Sequence, residues 1–242
     1  GIAGDRNDLI LGTRLLRNNN SDLILDEFGL PQAEIDSTGN RIFTLGQVQP
    51  DFTVGMRNTL SYKNVSIGFF IDFQFGGSIY SNSQATGSAR GTLSNTLEGR
   101  DGWYQSEADR VSLGFTTNEW IPTDGLLVEG VNEEGEQMID NFVDPQRYWN
   151  RMGGINENFI YDASFIRLNE IYLNINVPKK LSQKLKIQNI STSLFANNVI
   201  FLYKKTPGFA PQSSFSSGKS QGIESFAYPF TRSIGFKLTI SI

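Results

Sequence analysis

The sequence contains no cysteine and no histidine among its 242 residues. Without cysteine there is no disulfide framework and no thiolate nucleophile. Without histidine the commonest general base and the commonest metal ligand are both missing. No apolar run approaches the roughly 18 residues that a transmembrane helix requires. That absence leaves a β-barrel open, because each barrel strand gives only a weak hydropathy signal. A calcium-loop spacing is absent too: Glu129, Glu133, Glu134 and Glu136 sit in an acidic tract without the alternating Asp/Asn ligands such a loop needs. No nucleophile motif is present, and a glycosidase carboxylate pair is defined by a separation in space that sequence does not give. The chain is therefore read as a non-enzyme, with no catalytic residue, cofactor or metal site assigned. It opens on Gly1 with no signal-peptide pattern behind it. The expectation is a cleaved leader or a start inside a longer polypeptide.

What is present is alternation. In Ser225–Ile242 every second residue is apolar: Phe226, Tyr228, Phe230, Ile234, Phe236, Leu238, Ile240 and Ile242, with Arg232 the one polar member. The intervening positions are small or polar. Successive side chains of a strand point to opposite faces, so this reads as one apolar face and one polar face. Ordinary strands run about 5–6 residues. A strand tilted across a bilayer needs about 9–11, and this alternation lasts longer still. The same two faces would also suit a long strand in a soluble sandwich.

Asp51–Tyr62 and Val65–Gly76 repeat the pattern on either side of Lys63-Asn64, and together predict a hairpin. Ile160–Val177 is the next long strand, ended by Pro178 and a basic turn with Lys179, Lys180, Lys184 and Lys186. Its alternation is clean from Ile171 to Val177 and fails around Arg167. The first half is therefore expected to stand above the membrane. Ile187–Leu202 is a further strand, interrupted at Asn197-Asn198.

Residues 1–50 read as short strands and turns leading into this pattern. Ser78–Phe159 breaks the alternation. A segment of about 80 residues is too long for an idle connection, so a folded excursion is expected. It carries Trp103, Tyr104, Trp120, Tyr148 and Trp149, aromatic residues suited to stacking on a substrate or partner and equally to folding the loop. Residues 161–242 hold 10 Lys/Arg and 3 Asp/Glu, a net of +7, which leaves −11 on residues 1–160 for the chain total of −4. Such an asymmetry fits an acidic region on one side of a membrane and basic turns on the other.

Several motifs follow one another in order: Gln49-Pro50-Asp51-Phe52-Thr53, Tyr62-Lys63-Asn64, Asp72 with Gly76-Gly77-Ser78-Ile79-Tyr80, and Asp162-Ala163-Ser164-Phe165-Ile166-Arg167-Leu168. Ala196-Asn197-Asn198 and Tyr228-Pro229 through Phe236 complete the set. Together they resemble the C-terminal barrel of SusC/RagA-type TonB-dependent transporters. The resemblance covers about residues 45–242.

It implies an all-β chain: the last five or so strands of an antiparallel transmembrane barrel of roughly 22, with long extracellular loops. The domain division it implies is a lead-in over 1–50, a barrel hairpin over 51–80, an extracellular excursion over 81–159, and the last three barrel strands over 160–242. Short turns and the C-terminus would be periplasmic, in the outer membrane of a Gram-negative bacterium. The implied function is TonB-dependent import of glycans or peptides. The implied partners are the plug and remaining strands of the same transporter, TonB, a SusD-like surface lipoprotein, outer-membrane lipid and the substrate, with no nucleic acid among them. A soluble or cell-surface β-sandwich carbohydrate-binding module and a passive porin are the competing expectations.

Overall fold

The structure is a computed structural model that describes residues 8–184, 186–213 and 221–241. Residues 1–7 of the lead-in, Leu185 in the basic turn, 214–220 of the loop after Lys204, and Ile242 lie outside the described residues. The strands are β1 (Leu9–Gly12), β2 (Phe43–Gln47), β3 (Phe52–Tyr62), β4 (Val65–Phe75), β5 (Ser78–Ser81), β6 (Leu126–Leu127), β7 (Phe142–Val143), β8 (Ile160–Asp162), β9 (Phe165–Asn176), β10 (Asn189–Lys204), β11 (Ile223–Glu224) and β12 (Ser233–Ser241). The helices are α1 (Asn82–Ala89), α2 (Arg100–Leu113), α3 (Pro145–Gly153) and α4 (Lys179–Lys184). The chain divides into two compact units.

The sheet unit comprises Val48–Ile79, Tyr161–Phe215 and Ala227–Ile242. Its five strands are all antiparallel neighbours, in the order β12-β10-β9-β4-β3. The expected hairpin forms in register from Phe52↔Phe75 to Tyr62↔Val65. Lys63 takes a positive φ of 51° in its two-residue turn. Ser61 and Ser66 hydroxyls meet across the turn at 2.8 Å.

Register aligns one apolar face through all five strands. Leu60 pairs with Ile67, Ile67 with Leu173, Leu173 with Leu194 and Leu194 with Phe236. The opposite face carries Thr59, Gly68, Tyr172, Phe195 and Gly235 along the same row. The break in alternation at Arg167 has a local cause. Phe70 pairs with Glu170 but Ile71 pairs with Leu168, so Asn169 is an extra residue in β9. A bulge moves every later side chain to the other face. Ile166 and Leu168 thereby rejoin the face of Ile171 and Leu173, and Arg167 joins the face of Glu170. The pattern change is thus accounted for by a shift of parity within one strand. β10 compensates at the same level: Asn197 pairs with Glu170, Ile200 with Leu168, and Asn198 has a φ of 53°. Asn197-Asn198 is therefore a bulge inside one long strand.

The last strand is shorter than its sequence pattern. Only Ser233–Ser241 pairs with β10. Phe226 has a φ of 48°, Pro229 has no N–H for a ladder, and Tyr228 is 96% exposed. Alternating side chains there do not bring a neighbouring strand.

The excursion unit comprises Gly1–Gln47, Tyr80–Ile160 and Ser216–Phe226. β1 pairs with β2, and β6 with β7. Leu25, Leu30, Leu126, Val128 and Val143 form one buried cluster, and Leu15, Met152 and Ile155 another. Each fully buried aliphatic side chain contributes about 1.5–3 kcal/mol relative to exposure. The expected excursion is folded, with α1, α2 and α3 set among short strands and turns. Ser81 caps α1 by accepting from the Gln84 N–H, and Asp144 caps α3 by accepting from the Gln146 N–H, with Pro145 at the first turn. Glu224 of β11 is 2% exposed and accepts from the Ser81 and Ser83 hydroxyls, at 2.5 and 2.6 Å, beside the parallel β5–β11 pairing.

Candidate functional site

Two features of the structure can meet other molecules: the faces of the sheet, and an aromatic cleft in the excursion unit.

The apolar face of the sheet is uncovered within its unit. Leu60 is 70% exposed, Phe236 63% and Ile234 86%. The opposite face is polar and interlocked. Glycines there make room for aromatic rings from neighbouring strands. A Cβ built on Gly55 would sit 3.0 Å from the Phe70 ring, while Cβ atoms on Gly68 and Gly235 would enter the rings of Tyr172 and Phe195. The Tyr172 hydroxyl also shares a hydrogen bond with Thr59 Oγ1 at 2.7 Å. Two charge pairs cross strands on this face: Arg57 with Glu170 at 2.9 Å, and Arg167 with Asp72 at 2.5 Å. The rings of Phe165, Phe201 and Phe230 surround the Arg167 guanidinium at 5.8–6.0 Å.

The cleft has a volume of about 380 Å³, between the end of α1, the start of α2 and the start of α3. Trp103, Tyr104 and Trp149 line it together with Arg90, Arg100 and Asp144. Arg100 is fixed by donating to the carbonyl oxygens of Thr96 and Gly91, at 2.8 and 2.7 Å. Trp103 lies against Gly125, where a Cβ would come within 3.1 Å of the indole. Tyr104 is 70% exposed. The Trp149 indole N–H is buried without a hydrogen-bond partner. A buried donor left unpaired is costly unless something else accepts from it.

The five aromatic residues singled out in the sequence thus divide. Trp103, Tyr104 and Trp149 share the cleft. Tyr148 meets Trp149 edge to face at 5.2 Å and packs on both apolar clusters, and burial pushes its phenol pKa up, helped by the nearby charge of Glu98. Trp120 stands apart, donating to Ser106 Oγ at 3.2 Å with its ring 5.6 Å from Phe115. Arg90, Arg100 and Asp144 were not singled out in the sequence; no local motif marks them.

The two-faced antiparallel sheet and the folded excursion between its strands have counterparts among known proteins. The chain is similar to TonB-dependent receptor P3 of Formosa agariphila, 24% identical over 213 residues, which are 86% of this chain and 18% of that protein. Among solved structures, the RagAB peptide importer in its closed-closed state matches with a TM-score of 0.56 at 14% identity, over 96% of this chain and 23% of that one. Its open-open state matches with a TM-score of 0.52 at 13% identity, over 97% and 22%. No protein-family model matches the chain. These structural likenesses are likenesses of fold. The chain spans 18% of the receptor's length and 22–23% of the importer chains.

Proposed function

We propose that this chain forms part of the wall of a TonB-dependent outer-membrane importer. The observation that carries the proposal is the apolar face that continues through all five strands, with Asn58 and Thr192 as its polar members. In a soluble sandwich a second sheet would cover that face; among the described residues of the sheet unit none does. Lipid is the remaining partner for an apolar band of this extent. The polar face then lines the lumen, and the outer strands β3 and β12 continue into the rest of a barrel of roughly 22 strands, because open edges are not tolerated in hydrocarbon.

In this reading residues 51–80 and 160–242 supply barrel strands and 81–159 an extracellular excursion, with residues 1–50 leading in. The short turns Lys63-Asn64 and Pro178–Lys186, and the C-terminus, are periplasmic. The cargo is a glycan or a peptide, delivered with a SusD-like lipoprotein, and energy comes through TonB acting on a plug elsewhere in the transporter. The named function of the RagAB chains supports the peptide side of that choice. Within the excursion, Trp103, Tyr104 and Trp149 contact cargo or lipoprotein, and Tyr148 and Trp120 hold the fold. The test is recovery of the native polypeptide carrying this sequence from outer membranes. We expect it to need detergent, to shift in gel mobility on heating, and to bring a surface lipoprotein with it. A polypeptide recovered in water without detergent contradicts the proposal.

A further inference from the structure

Five lysines gather at one end of the sheet. Lys63 lies in the β3–β4 turn, and Lys179, Lys180, Lys184 and Lys186 lie in and just after α4, between β9 and β10. The two turns are adjacent. The Asn176 N–H donates to the Asn64 carbonyl at 2.8 Å, and the Asn64 side chain donates to the Asn176 carbonyl at 3.0 Å. All five lysines are exposed, and among the described residues none has a carboxylate partner. No Asp or Glu occurs in 61–66 or 176–190. The unit's other carboxylates are largely committed elsewhere: Asp72 to Arg167, Glu170 to Arg57, and Asp162 to Lys205 at 2.6 Å. The charge at this end is therefore unneutralised from within the unit.

Its position relative to the apolar band is what identifies a partner. Tyr62 and Val65, the last apolar-face pair of the hairpin, stand directly at the Lys63 turn, and Tyr62 is 72% exposed with the Lys63 ammonium 5.2 Å from its ring. Ile175 and Ile190 flank the α4 turn, and Leu181 stands 53% exposed among its lysines. An amphipathic tyrosine and long lysine stems at the rim of an apolar band are groups that settle at the headgroup level of a bilayer.

We propose that this lysine collar is a docking surface for anionic glycerophospholipid of the periplasmic leaflet, with the ammonium groups on lipid phosphates and Leu181 and Tyr62 in the acyl boundary. The proposal rests on the membrane reading above. One basic side chain near an anionic surface changes partition by about fivefold, so a collar of several lysines discriminates strongly between charged and zwitterionic lipid.

The test uses the full transporter, reconstituted in phosphatidylcholine vesicles with and without phosphatidylglycerol. Wild type is compared with a variant carrying Lys63→Gln, Lys179→Gln, Lys180→Gln, Lys184→Gln and Lys186→Gln, and with one carrying Arg at all five positions. Insertion is read by vesicle flotation. Lipid preference is read as the ratio of phosphatidylglycerol to phosphatidylcholine retained on the protein after brief detergent extraction. Wild type and the Arg variant should retain phosphatidylglycerol at least about fivefold above its share of the vesicle, and salt should erase the excess. The Gln variant should insert and retain lipid in the vesicle's own proportions. Equal retention by wild type and the Gln variant, or no enrichment in wild type that has inserted, overturns the collar and leaves the membrane reading standing. Failure of wild type to float with either vesicle overturns both. If the Gln variant does not fold, Lys179→Gln with Lys184→Gln alone should lower the enrichment, and an unchanged ratio overturns the proposal.

Discussion

Tyr172 fills the space above Gly68, the residue it pairs with across β4 and β9, and reaches beyond it to Thr59 on β3, where the two hydroxyls lie 2.7 Å apart. One side chain thus ties three strands together on the polar face. Gly68→Ala puts a methyl where the Tyr172 ring lies. It should cost about 1–3 kcal/mol by overpacking. Tyr172→Phe keeps the ring and loses the hydroxyl contact, for about 0.5–1.5 kcal/mol. Denaturant unfolding of the full protein in detergent should rank the two in that order.

Arg167 is 13% exposed and Asp72 19%, and the Arg167 Nε is buried without a partner. Asp72→Asn leaves a guanidinium uncompensated among Phe165, Phe201 and Phe230. The expected loss is about 3 kcal/mol. Adding Arg167→Met to Asp72→Asn should restore most of it, since the orphaned charge is then gone. A double-mutant cycle on unfolding free energy checks the non-additivity.

Among the aromatic residues of the excursion, exposure and packing separate two roles. Trp103→Ala and Tyr104→Ala should lower uptake of cargo by the transporter while leaving its unfolding midpoint close to wild type. Tyr148→Ala removes a ring from between two buried clusters and should destabilise by about 3–5 kcal/mol. Uptake and thermal unfolding measured on the same preparations decide whether the roles divide this way.

Acid should loosen the first ladder of the excursion unit. The hydrogen bonds from Arg14 hold the Glu34 carboxyl below its usual range, and the Thr38 hydroxyl with the Asn40 N–H does the same for Asp36. A carboxylate depressed in the folded state stabilises it above the unfolded pKa, about 4, and that contribution is lost as pH falls through the folded value. Protection from hydrogen exchange, taken relative to the intrinsic rate at each pH, should therefore fall at the Leu15↔Ala33 bridge and the Glu34 amide on acidification below about pH 4. Glu34→Gln should lower that protection at neutral pH and leave it less sensitive to acid.

The hairpin was legible because its two runs of eleven residues keep period two around a two-residue turn, departing from it at Asn58 and Phe70. The loss of alternation at Arg167 was visible but its cause was not: one inserted residue, Asn169, reverses parity, and a bulge leaves no mark in a sequence except the reversal itself. Ser225–Arg232 was over-read as strand for the opposite reason: alternation survives there while Phe226 and Pro229 deny the backbone a ladder. That the excursion is folded was legible, but where its helices lie was not. α2 carries a glycine in its first turn, at Gly102, and shows no strong apolar stripe. The aromatic residues were visible as a class, but the cleft is made by segments some 50 residues apart, and Arg90, Arg100 and Asp144 reach it through packing that no local pattern encodes.

The central claim is that one face of the five-stranded sheet meets lipid and the other meets water. These 242 residues hold no cysteine, so single cysteines placed in turn from Val65 to Phe75 of β4 add the one thiol of this segment, and each can be followed in the membrane-embedded transporter against the same transporter without the added cysteine. Labelling with a lipid-soluble maleimide and with a charged, water-soluble one gives two profiles. The account predicts that positions 65, 67, 69, 71 and 73 take the lipid-soluble reagent and positions 66, 68, 70, 72 and 74 the water-soluble one, in strict alternation. Uniform reaction of both faces with the charged reagent, or protection of both from the lipid-soluble one, would contradict it.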